Sequence, residues 1–289
     1  MTFSGLAAEN IVRIQCNGGL TVHSTLLSAF SVSSFSDISA PDLASAEELT
    51  TDFFSSDSQF SLRYYWNFWN CPHEEVTATI LDVGTVASPY ILDLVSQVGD
   101  VTVDPFFQIF IQEADMAAYS GSVSVGGLKV SDRLHIFASG GSITVNATSA
   151  TVVDLVTSNG GVTFDWLIAT EVDVTTTNSV VSSRSVVLKS GPDCMLDIQT
   201  SNGQVLLDLV TLPSDVVCDI DITSTNGNVD LTLVNFAGSY DLRTSNGQIS
   251  VTGQSCGSQT RCTGTVAGTT VSHSLTVKTS NAAVTVTLV

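Results

Sequence analysis

Seven aspartates, Asp93, Asp115, Asp154, Asp173, Asp197, Asp221 and Asp241, recur five residues before a shared turn position. They are the side chains of this sequence best placed to do chemistry. His135 and Thr276 hold the same place in two further units. Carboxylates stacked about 5 Å apart repel by roughly 0.8 kcal/mol per pair even in bulk water. Such a column is either an acidic stripe that favours solubility and blocks edge association, or a face for a divalent cation such as calcium or for a cationic partner. Carboxylate pairs beside a base could also cleave glycosides. The four histidines, His23, His73, His135 and His273, stand in no metal-site or triad spacing. P-loop, dinucleotide and Cys-x-x-Cys patterns do not occur. The expectation is no catalytic residue and no cofactor, calcium on the aspartate column excepted.

The register of that column is set by a repeat. Its motif is Thr-Ser-Asn-Gly, one spacer, then alternating apolar residues. The turn positions are Asn159-Gly160, Asn178, Asn202-Gly203, Asn226-Gly227, Asn246-Gly247 and Asn281. Weaker copies centre on residues 98, 120 and 140, and Cys16-Asn17-Gly18-Gly19 is an isolated upstream copy. An alternating strand precedes each turn, as in Leu196 and Ile198 or Ile220 and Ile222. Alternation of this kind buries one face of a strand.

Asn-Gly between strands is also a hairpin signal. Nine hairpins would need about 18 antiparallel strands, beyond the usual sheet. A near-constant period with one recurring corner fits a solenoid. The sequence therefore predicts an all-β, right-handed parallel β-solenoid of about nine coils of 19–24 residues, over residues 91–289. Its corner glycines are expected at positive φ, and its asparagines in a hydrogen-bonded ladder. Residues 1–90 are expected to form an irregular capping segment. A short helix is expected to begin there near Pro41, and the aromatic cluster from Tyr64 to Trp69 is read as a cover, with an aromatic carbohydrate platform as the alternative.

The cysteines follow the same register. Cys194 and Cys218 each lie eight residues before a turn asparagine and face inward by parity. Parallel neighbours about 4.8 Å apart fall inside the window for a disulfide. That pair is predicted to bridge adjacent coils. Cys256 and Cys262 would pair within an insertion, leaving Cys16 and Cys71 as a third pair.

Composition narrows the partners. With 28 acids against 9 bases the net charge is −19, which argues against nucleic acid and against anionic lipid. No apolar run is long enough to span a membrane. Asn146-Ala147-Thr148 is the one glycosylation sequon.

The repeated Thr-Ser-Asn-Gly-x-Val register over about residues 90–289 resembles a bacterial domain family labelled adhesin, and its fungal relatives. The stretch from Phe236 to Gly247 is similar to a run in the fungal members. The resemblance implies an extracytoplasmic, non-enzymatic β-repeat module. The expected role is thus adhesion, wall association or scaffolding at the cell surface or outside the cell. Cell-wall polysaccharide, divalent cations or a basic protein are the expected partners. The alternatives are a β-helix carbohydrate-active enzyme and an intracellular polymer-forming solenoid.

Overall fold

The computed structural model describes residues 90–105, 111–252, 256, 260–268 and 271–289. It also gives the backbone of the upstream strands Asn10–Cys16, Leu20–Leu26, Asp52–Ser56, Gln59–Arg63 and Val76–Asp82. Every described element is a strand, and the chain winds as a parallel β-solenoid. One strand of each coil joins an eleven-stranded sheet, and the strand after the corner joins a twelve-stranded sheet.

One coil shows how the sequence does this. Val152–Thr157 alternates, and Val153 and Leu155 point inward and are fully buried. The chain turns at residues 158–161 and continues as Val162–Ala169, burying Val162 and Phe164. It then returns as Glu171–Thr176, which pairs in parallel with Val152–Thr157, Asp154 opposite Asp173. Val172, Val174, Leu196, Ile198, Ile220 and Ile222 repeat the inward positions, so one apolar core runs up the stack. Each such leucine or isoleucine contributes about 1.5–3 kcal/mol by leaving water.

Strict alternation fails in the second sheet. In Val162–Ala169 the consecutive residues Asp165 and Trp166 both face solvent. Parity flips there within one continuous strand, leaving Trp166 56% exposed.

The last coil stands out of chain order. His273–Thr279 lies between Asp219–Ser224 and Gly238–Thr244, in parallel with both. Val284–Leu288 likewise separates Val229–Val234 from Ile249–Val251. The strand Arg261–Val266 closes that end by antiparallel pairing with Gly238–Thr244.

The upstream copy of the motif is not isolated in space. Asn10–Cys16 pairs in parallel with Tyr90–Ser96, and Leu20–Leu26 pairs with Val101–Val103. Both flanks of Asn17-Gly18 thus join the solenoid, and pairing crosses the boundary expected at residue 90. The expected helix near Pro41, the aromatic cluster and Cys71 lie outside the described residues, as does the side chain of Cys16.

Candidate functional site

The outer face of the eleven-stranded sheet carries the aspartate column. Pairing sets Asp93 opposite Asp115, Asp115 opposite His135, and His135 opposite Asp154. Asp173, Asp197 and Asp221 follow. Thr276 then stands between Asp221 and Asp241, because the last coil is inserted there.

Cations meet this column along much of its length. His135 Nδ1 lies 2.9 Å from Asp115 and its Nε2 3.8 Å from Asp154. The Asp115 hydrogen bond raises the His135 pKa above its ordinary value, against the effect of partial burial. Arg133 reaches Asp154 at 2.8 Å, and Lys278 lies 3.6 Å from Asp221. Arg243 and Arg261 both clamp Asp241 and hold its carboxyl far below the carboxylate range. Mid-face, Asp173 and Asp197 have neutral partners, Thr175 and Gln199. Burial, followed by the charges of Asp197, Asp154 and Glu171, pushes Asp173 up. Among the described residues no group of three or more His, Cys, Asp or Glu side chains is placed to hold a metal ion.

The corner carries a second column. Side-chain amides donate from Asn178 to Asn159 (3.1 Å), Asn202 to Asn178 (2.8 Å) and Asn226 to Asn202 (2.7 Å). The ladder then passes through the inserted coil: Asn281 donates to Asn226 and Asn246 to Asn281, each at 2.7 Å.

Corner glycines are not at positive φ, contrary to expectation: among the described glycines only Gly238 is, at 151°. Close approach selects glycine instead. A Cβ on Gly203 would fall 1.6 Å from the Ser179 carbonyl oxygen of the coil beneath, and one on Gly227 1.7 Å from that of Gly203.

Sequence reasoning missed a third column, the Thr or Ser three residues before the corner glycine or its counterparts Ser179 and Ala282. Thr157, Thr176, Thr200, Ser224, Thr244 and Thr279 are all buried. Each hydroxyl donates to a carbonyl of the neighbouring coil, as Ser224 does to Gly203 at 3.0 Å. Four of them also accept a glycine N–H from their own corner. The signal was present in the motif, because a Ser or Thr hydroxyl can donate and accept at one atom.

Cys194 and Cys218 form a disulfide with Cα atoms 4.6 Å apart, and Cys256 and Cys262 form another. Cys218 N–H also donates to His273 Nδ1 at 3.1 Å, which ties the clipped coil to the inserted one. Asn146 is exposed at a bend where Ala147 takes φ 46°. The sequon's Thr148 is buried and donates to the Gly126 and Asn146 carbonyls.

These features define a disulfide-clipped parallel β-solenoid with one acidic face and one amide-laddered corner. The chain belongs to the Toastrack DUF4097 family, whose model matches residues 108–287. No curated protein and no solved structure matches the chain. No helix among the described residues is long and apolar enough to cross a membrane.

Proposed function

We propose that the protein is a non-catalytic surface or extracellular module that holds cationic partners on its acidic sheet face, serving adhesion, wall association or scaffolding. The observation that carries this reading is the registered aspartate column, with Asp173 and Asp197 left among neutral partners mid-face. A stacked sheet repeats that charge at about 4.8 Å, a spacing suited to a polymer or an extended basic segment rather than a compact ligand. The two disulfides support an oxidising compartment.

The test is binding to an amine-bearing cell-wall polysaccharide and to a basic protein, with Asp173→Asn/Asp197→Asn beside the native chain. Binding that weakens in the double variant and with rising salt supports the proposal. Equal binding by both chains overturns it, and release of reducing ends from a polysaccharide panel points to the glycosidase instead. Calcium is tested separately. Millimolar calcium should raise the melting temperature, and Asp197→Asn with Asp221→Asn should reduce that rise. An unchanged melting curve removes calcium as a ligand.

A further inference from the structure

Five Asn-Gly pairs occur in the sequence, and four of them, at Asn159, Asn202, Asn226 and Asn246, lie at described corners. Asn-Gly is the dipeptide most prone to deamidation, because glycine leaves its own backbone nitrogen unhindered. In that reaction the glycine nitrogen loses its proton and attacks the asparagine Cγ. The Cγ–Nδ2 bond breaks, ammonia leaves, and a succinimide ring closes. Water then opens the ring to aspartate or isoaspartate.

We propose that the buried hydroxyl column locks these corners against succinimide formation. Both reacting halves are pinned. The attacking N–H groups are held by hydroxyls: Gly160 by Thr157 at 3.2 Å, Gly203 by Thr200 at 3.0 Å, Gly227 by Ser224 at 2.9 Å and Gly247 by Thr244 at 2.9 Å. The electrophilic amides are fixed by the ladder, where Asn202 donates to Asn178 and accepts from Asn226. Attack at Asn202 must break the Gly203 N–H bond and turn the side chain out of the ladder. The product would also damage the stack. An aspartate at 202 has no amide hydrogen for Asn178 and sets a carboxylate against its carbonyl oxygen. The lock thus protects the continuity of the ladder, whichever partner the acidic face takes.

The experiment is peptide mapping by mass spectrometry of the intact folded protein aged at mildly alkaline pH. The same protein aged in denaturant is the reference. Deamidation at the four corners should be at least about tenfold slower in the folded chain, the equivalent of roughly one hydrogen bond. Thr200→Val should accelerate Asn202 selectively, while Asn226, still held by Ser224, serves as the control in the same molecule. Ser224→Ala is a milder variant that should accelerate Asn226 and spare Asn246. Thr200→Ser keeps the hydroxyl and should leave Asn202 slow. Circular dichroism establishes that each variant is folded. The proposal is overturned by folded native corners that deamidate as fast as the denatured chain. It is equally overturned by folded Thr200→Val and Ser224→Ala chains whose exposed corners age at the native rate.

Discussion

Ser183 sits where the repeat asks for an apolar side chain. It faces the core between Phe164 of one coil and Leu207 of the next, 5% exposed, and its hydroxyl has no partner. A buried hydroxyl without a hydrogen bond costs about 1–3 kcal/mol. Ser183→Ala should therefore raise the urea midpoint, by about 1 kcal/mol of stability, and a loss of stability would mean that the hydroxyl has a bonding role. Gly203 makes the opposite case. Its hydrogen stands where a Cβ would collide with the Ser179 carbonyl and crowd Thr200 Oγ1. Gly203→Val should cost at least the 1–3 kcal/mol typical of overpacking. Ser179 and Ala282 hold the equivalent place in their own coils, so a single coil can seat a small side chain there. A neutral Gly203→Val would show that the Ser179 coil shifts to accept a branched one.

The coil shows what the sequence made legible and what it hid. Parity and spacing located the apolar interior, the ladder residues and the Cys194–Cys218 bridge, because a parallel stack converts equal offsets into contacts. Parity could not locate the flip at Asp165-Trp166, because Trp166 and Ile168 continue the apolar alternation of Val162 and Phe164 in the sequence. The bridge also has an energetic meaning. Closing a loop of 24 residues contributes about 3 kcal/mol in the chain-entropy model. Cys194→Ser/Cys218→Ser should lose about that much in a denaturant titration, and a loss near zero would mean that the reduced chain holds the same coils together unaided. The acidic strand face adds a pH term. Asp173 binds its proton more readily folded than unfolded, because its pKa is raised from 3.8. Its contribution therefore stabilises as pH falls through the range above 3.8 and is lost as pH rises. Asp173→Asn should raise the melting temperature at neutral pH and remove that part of the slope. An unchanged melting temperature would show the mid-face charges to be fully screened.

At the scale of the whole stack, the insertion of the last coil is the feature the repeat alone could not reveal. Every coil offers nearly the same edge, so Asp241 could by register have followed Asp221 directly. Charge and packing favour the observed order. Thr276 separates the two carboxylates and Lys278 approaches Asp221, while Cys218 N–H is satisfied by His273. Gly238, at φ 151°, lets the inserted strand approach, since a Cβ there would meet the His273 carbonyl oxygen at 1.9 Å. Acid should act oppositely on His135 and His273. His273 is 2% exposed, and burial lowers its pKa. Its contribution is complete above the unfolded value of about 6.5 and is lost as pH falls below it. His135 has a raised pKa, so its contribution is complete below 6.5 and is lost as pH rises through the folded value. Hydrogen exchange, corrected for intrinsic rates, should therefore show residues 273–289 losing protection between pH 7 and pH 5 while Val130–Ala138 keeps or gains it. His273→Gln retains an acceptor without titrating near neutrality, and should abolish the loss. Equal acid sensitivity of both segments in the native chain would show that global carboxylate protonation, rather than His273, governs the docking of the last coil.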